Sequence, residues 1–176
     1  MCVRQLATLT LIVACAGVSM TSAMHAGSGC CSSEDARIVQ EQWSTVFSAE
    51  NSGKSKITLC REIFERLFVR VPNAVELFKD VGGDNIYSDK FSSQMVRVLA
   101  GLDLAIGALH DQPLLDELVE HLNAQHSVRD GVTASAFEVW RQIVLEVMPK
   151  IIDSFNSDAW MNCVCPIVHG IAKGLP

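Results

Sequence analysis

The stretch "EHLNAQHSVRDGV", from Glu120 to Val132, carries two histidines five residues apart at the end of a leucine-rich segment. Helical spacing of apolar residues predicts an amphipathic helix over residues 113–126, with its apolar face formed by Leu114, Leu115, Leu118, Val119 and Leu122. At about 100° per residue, His126 falls in line with Leu122, whereas His121 falls on the polar side. We therefore expect His126 to point inward and His121 outward. An inward histidine is open to two interpretations, a metal ligand or a hydrogen-bonded core residue.

The remaining segments also show helical periodicity, and no convincing β alternation is present. Apolar residues recur at helical spacing in the segments 38–47, 57–71, 91–109, 137–155 and 160–171. The segment "NSGKS" (51–55) is predicted to break the pattern, and Pro72 is predicted to end the second helix. The pattern favours an all-α fold with six or more helices.

The N-terminus has the features of a secretory signal peptide. A charged start is followed by the apolar run "LATLTLIVACAGV" and the small residues "MTSA". The apolar run is too short to span a bilayer comfortably. We expect cleavage after Ala23, with Ala26 as the alternative, which leaves residues 24–176 as one domain. An uncleaved N-terminal helix buried in the fold is the other interpretation.

Charge and cysteine content narrow the range of partners. The net charge of −6 argues against nucleic acid and anionic membranes as partners. Cleavage would leave five of the seven cysteines, namely Cys30, Cys31, Cys60, Cys163 and Cys165. An odd number in a secreted chain implies a free thiol or a bond to another chain.

Several motifs together resemble the globin family. "LNAQH" (122–126) is similar to the end of the helix that carries the proximal haem ligand, and "KFSSQMVRVLAGLD" (90–103) is similar to the distal helix. "FERLFVRVPNAVELF" (64–78) resembles the globin stretch in which a proline opens a short helix and a phenylalanine six residues later packs on the haem. Pro72 and Phe78 match those two positions. The segments "SEDARIVQEQW" (33–43) and "FEVWRQIVLEVMP" (137–149) resemble the first helix and a late one.

Three motifs narrow the resemblance to the B-type globin chains of annelid giant extracellular haemoglobins. They are "GCCSSED" (29–35), "HLNAQHSVRDGV" (121–132) and "SFNSDAWMNC" (154–163). The resemblance covers essentially the whole expected mature chain. It implies a globin fold with six to eight helices around a haem pocket.

The resemblance also assigns the residues of a haem b site. His126 would bind the iron through a neutral imidazole nitrogen, while its other ring nitrogen donates to a backbone carbonyl. Phe78 would stack on the haem, and Leu122 would contact it. The distal side would be lined by Phe64, Leu67 and Val98.

The distal position departs from the common pattern of the group, because Gln94 stands where most members have histidine. A glutamine amide can donate a hydrogen bond to oxygen much as an imidazole can, so the oxygen-binding interpretation remains. The alternative is a Gln94 side chain turned to solvent. Arg97 would contact a haem propionate or lie on a solvated helix face.

For the cysteines, the resemblance implies a disulfide between Cys31 and Cys163. Cys30 would then form an interchain disulfide with another subunit. Cys60 lies on a buried stripe and is expected to be an inert thiol. Cys165 is two residues from Cys163 and faces another direction on the helix.

The resulting functional prediction is a secreted oxygen-transport globin that is not an enzyme. It would be a subunit of a large assembly with other globin chains and linker chains. One alternative is a peroxidase-like haem enzyme, although a distal glutamine is a poorer acid–base group than histidine. The other is a secreted helical bundle without haem.

Overall fold

The computed structural model describes residues 30–176, which contain seven α-helices, two short 3₁₀ helices and no strand. The predicted all-α fold with six to eight helices is therefore confirmed. The signal peptide predicted over residues 1–23 lies outside the described residues. The α-helices are α1 (Ser33–Val46), α2 (Gly53–Arg70), α3 (Ala74–Leu77), α4 (Asp89–Gly107), α5 (Gln112–Ser127), α6 (Ala134–Val147) and α7 (Ser157–Ile171).

Side-chain caps fix where the helices begin. All helices except α3 start behind a residue whose side chain accepts a backbone N–H from the first turn: Ser32, Ser52, Ser88, Asp111, Thr133 and Asn156. The break predicted over "NSGKS" (51–55) lies earlier in the chain, at residues 47–52 between α1 and α2. Because the Ser52 side chain accepts the backbone N–H of Ser55, α2 already begins at Gly53.

The long helix expected over residues 137–155 is interrupted. Helix α6 ends at Val147, and Met148–Lys150 continue as a 3₁₀ helix. Pro149 lacks a backbone N–H and its ring clashes with the preceding turn, which explains the end of the α-helix there. The prediction failed because the apolar spacing continues through Ile151 and Phe155 beyond the proline.

The helices pack around one hydrophobic core. Helix α2 packs against α4 and α6, α7 packs against α1, α5 and α6, and α4 also contacts α5. Buried tryptophans are hydrogen-bonded across helices, since Trp43 Nε1 donates to Asp103 (2.7 Å) and Trp160 Nε1 donates to Gln42 (2.9 Å). Among the described helices, none is long and apolar enough to cross a membrane.

A disulfide joins the segment before α1 to helix α7. It connects Cys31 to Cys163, 132 residues apart, and this is the pair that the resemblance implied. A hydrogen bond from Asn162 to Asp35 (3.2 Å) joins the same two regions. In the chain-entropy model, closing so long a loop stabilises the folded state by roughly 4–5 kcal/mol.

Candidate functional site

The inward histidine lies in the last turn of α5 and is held by its own helix. His126 is half-buried, and its Nδ1 lies 2.7 Å from the carbonyl oxygen of Leu122, one turn earlier. A carbonyl oxygen can only accept, so Nδ1 carries the proton and donates. The other ring nitrogen, Nε2, is therefore left with a lone pair that can bind a metal. His121 is exposed, as expected, and lies 2.8 Å from the Gln125 amide.

The surroundings of His126 keep the imidazole neutral. Burial lowers its pKa below the ordinary value of 6.5, and the nearby positive charge of Arg129 acts in the same direction. The hydrogen bond to Leu122 raises the pKa, but burial outweighs it. A neutral imidazole at physiological pH is the form that a metal ion requires.

A second ring supports His126 from the neighbouring helix. The Phe137 ring, in the first turn of α6, meets the His126 ring edge to face with 5.0 Å between their centres. Helical spacing indicates only that Phe137 lies on an apolar stripe. The contact joins two helices across a turn, so helical spacing alone gave no signal for it.

Four phenylalanines from α2, α4 and the end of α3 form an aromatic cluster. Phe64, Phe68, Phe78 and Phe91 lie 5.4–5.9 Å apart between ring centres. Phe64 is fully buried, whereas Phe78 is half-buried. Gly83 packs directly on Phe78, because a Cβ at position 83 would lie only 2.6 Å from the Phe78 Cβ. The turn after α3 thus packs closely against Phe78. Phe68 and Phe91 belong to the cluster although no sequence motif indicated them.

Helix α4 has one face buried in the core and an adjoining face that is half-buried. Met95 and Leu99 are fully buried in the core, while Gln94 and Val98 are half-buried on the adjoining face. Within residues 30–176, no group hydrogen-bonds the Gln94 amide. The amide is therefore available to an external acceptor.

The face of α4 that carries Gln94 and Val98 also meets α5. Gly101 lies three residues beyond Val98, and a Cβ there would approach the Leu122 side chain to 3.2 Å. Leu122 is itself half-buried and lies one turn before His126. The close approach therefore places the row Gln94–Val98–Gly101 next to the helix that carries the histidine.

Two residues expected at the site lie at its margins. Leu67 is buried in the core, three residues after Phe64 on α2. Arg97 is exposed, and within the described part of the chain it makes no ion pair. Its expected contact with a propionate therefore stays a prediction.

These residues fit a flat, apolar cofactor that takes one nitrogen ligand. His126 offers an unprotonated nitrogen, while Phe78, Val98 and Leu122 are apolar side chains that remain half-exposed at the edge of the core. Haem has both properties, since an axial imidazole and an apolar slot are what the protein supplies to it.

Among the described residues, the two free cysteines, Cys60 and Cys165, are both buried. Cys60 is fully buried on α2, and burial raises the pKa of its thiol to about 12. The expected apolar environment of Cys60 is thus confirmed. The Cys165 sulfur lies 3.4 Å from an Arg141 nitrogen and 3.7 Å from the Met161 sulfur, between α6 and α7.

Comparison with known proteins agrees with this arrangement. The sequence model of the globin family matches residues 61–171. The chain is 38% identical to extracellular globin-3 of Lumbricus terrestris, over 83% of this chain and 86% of that protein. It is 37% identical to extracellular globin-4 of the same worm, over 84% of this chain and 97% of that protein. It is 31% identical to a monomeric extracellular globin of Tubifex tubifex, over 76% of this chain and 92% of that protein. The chain belongs to the globin family.

Proposed function

We propose that this globin is a secreted oxygen-transport protein that binds haem b through His126 and is not an enzyme. The observation that carries the proposal is the hydrogen bond from His126 Nδ1 to Leu122, which leaves Nε2 free as a ligand. When bound, haem would supply a ferrous iron that takes up and releases dioxygen reversibly.

His126 would be the single protein ligand. The amide of Gln94 is a weaker ligand for iron than an imidazole, so the iron would remain able to take up dioxygen. Phe137 supports this assignment because its ring restrains the plane of the His126 imidazole. The protein thus contributes one oriented nitrogen from α5.

The distal residues would select and hold the small ligand. Gln94 has an amide without a partner in the described chain, and its N–H would donate to dioxygen. Phe64, buried within the phenylalanine cluster, and Val98 would limit the space and exclude water. Phe78 and Leu122 would cover the faces of the cofactor, with Arg97 at its exposed edge.

Secretion and assembly are part of the same proposal. The relatives are named extracellular globins, which supports a secreted protein. Cleavage after Ala23 stays a prediction. One relative is named monomeric, so assembly with other globin chains and linker chains needs its own test. The interchain disulfide expected of Cys30, at the edge of the described residues, stays a prediction. Non-reducing electrophoresis tests the interchain disulfide, and the native mass of the purified protein tests the assembly. A monomer in both measurements contradicts the subunit role.

The function is tested on the purified protein. We expect a Soret band, reversible oxygen uptake by the reduced protein and no sustained peroxide turnover. The lack of a Soret band contradicts haem binding. Sustained peroxide turnover would favour the peroxidase-like alternative.

A further inference from the structure

Arg61 on α2 reaches across to the segment that begins α4. Its Nε donates to the carbonyl oxygen of Ile86 (3.2 Å), and its Nη2 donates to the Ser92 hydroxyl (3.3 Å). Ile86 lies in the turn before α4, and Ser92 lies in the first turn of that helix. One planar guanidinium therefore joins α2 both to the turn before α4 and to the first turn of α4.

The Ser92 end of this connection is well enclosed. Among residues 30–176, Ser92 is the only buried residue with a polar side chain, tryptophan and cysteine aside, and it is 5% exposed. A buried hydroxyl needs a partner, and Arg61 provides it. Losing either side chain leaves the other polar group partly unsatisfied inside the fold.

The outer side of Arg61 is covered by Tyr87. The guanidinium carbon lies 4.9 Å from the centre of the Tyr87 ring, in cation–π geometry. The Tyr87 hydroxyl in turn donates to Glu65 (2.8 Å), which lies one turn after Arg61 on α2. Residues 86 and 87 are thus held against α2 by three contacts, two with Arg61 and one with Glu65.

Both ends of the connection lie beside residues of the distal site. Ser92 is two residues before Gln94, and Arg61 is three residues before Phe64. An α-helix is stiff over one turn, so a shift at Ser92 is carried to Gln94 with little loss. The distance between α2 and the start of α4 therefore sets where the Gln94 amide lies relative to the Phe64 ring.

We propose that Arg61, acting through Ser92 and Ile86, is a positioning residue that sets the place of the Gln94 donor and so the oxygen dissociation rate. This inference rests on the proposed function, in which Gln94 donates to dioxygen. Arg61 itself touches neither ligand nor cofactor in this account. Its effect passes through the position of α4.

The test uses the holoprotein with two variants, Arg61→Gln and Ser92→Ala. Two matched controls come from the same helices: Arg66→Gln, whose guanidinium pairs within α2 with Glu62, and Ser93→Ala, an exposed neighbour. We expect both variants to raise the oxygen dissociation rate by roughly two- to tenfold, the range of one weakened hydrogen bond. Carbon monoxide dissociation should change less, and the controls should match the wild type.

A double-mutant cycle separates positioning from a general loss of structure. If Arg61 acts through Gln94, Arg61→Gln should have no further effect on oxygen dissociation in a Gln94→Leu background. An effect of unchanged size in that background overturns the inference. Hydrogen exchange of the amides in residues 86–95 of the carbon monoxide form gives a second readout. We expect faster exchange in both variants and not in the controls.

The outcomes distinguish the inference from the function on which it rests. If Gln94→Leu raises the oxygen dissociation rate and neither Arg61→Gln nor Ser92→Ala does, the inference is wrong and the proposed function stands. If Gln94→Leu itself leaves the rate unchanged, the proposed role of Gln94 fails and the inference fails with it. Faster exchange without a change in oxygen dissociation reduces Arg61 to a structural clamp and also overturns the inference.

Discussion

His126 donates its Nδ1 proton to the carbonyl oxygen of Leu122 across 2.7 Å, within the last turn of α5. This bond fixes three properties of the ring at once: its tautomer, its orientation and the position of the unprotonated Nε2. Leu122 also contacts α4 at Gly101, so the same turn that orients the histidine faces the distal helix. The predictions below follow from this arrangement.

Removing the hydrogen-bond donor of Gln94 should affect the dissociation rate of oxygen more than that of carbon monoxide. Gln94→Leu keeps the size of the side chain and removes the N–H, so oxygen dissociation should accelerate by roughly two- to tenfold. Carbon monoxide depends less on a hydrogen bond and should respond less. Stopped-flow dissociation of both ligands measures the difference. Small and equal changes for both ligands would mean that the Gln94 amide faces solvent.

The disulfide should contribute much of the stability. Cys31→Ser opens a loop of 132 residues and should lower the free energy of unfolding by roughly 4–5 kcal/mol. Urea unfolding monitored by circular dichroism measures it. Reductant should lower the stability of the wild type towards that of the variant and should affect Cys31→Ser less than the wild type. Equal stability of variant and wild type would contradict a structural role for this bond.

Cys60 should be unreactive in the folded protein. Burial raises the pKa of its thiol to about 12, so the thiol stays protonated, and thus a poor nucleophile, throughout pH 7–9. We expect iodoacetamide to label Cys60 at pH 8 only after unfolding, as measured by peptide mass mapping. Labelling of Cys60 in the native protein, blocked by added sulfide, would show a reactive thiol and contradict the expectation.

Haem retention should depend on pH through His126. The folded-state pKa of His126 is lowered, so its nitrogen is available at neutral pH and haem should be released only as pH falls through a value below 6.5. Arg129→Gln removes a positive charge that lowers this pKa. The release midpoint, followed by Soret absorbance, should therefore move to higher pH, while Arg66→Gln should leave it unchanged. A shift to lower pH would contradict this account.

Local sequence was enough to predict some of the site. The period of an α-helix places His126 inward and His121 outward, and the structure agrees because α5 runs without interruption from Gln112 to Ser127. The short helix between Pro72 and Phe78, which the resemblance to globins implies, is also present in the structure. These features depend on neighbours within one or two turns.

Other features depend on how helices pack and had no local signal. The contact of Phe137 with His126 requires α5 and α6 to meet at a particular angle. The bonds from Arg61 to Ile86 and Ser92 join residues 25 and 31 positions apart. Spacing within one helix specifies which face is buried, but not which residue of another helix that face meets.

The spectrum of two histidine variants tests the central claim most directly. His126→Gly should either lose haem or bind it only with added imidazole in place of the missing side chain, because no other ligand replaces Nε2. His121→Gly removes an exposed histidine five residues earlier and should keep the wild-type spectrum. Absorption spectra of both reduced proteins, with and without imidazole, give the answer. A wild-type spectrum for His126→Gly, together with loss of haem in His121→Gly, would contradict the assignment of His126 as the axial ligand.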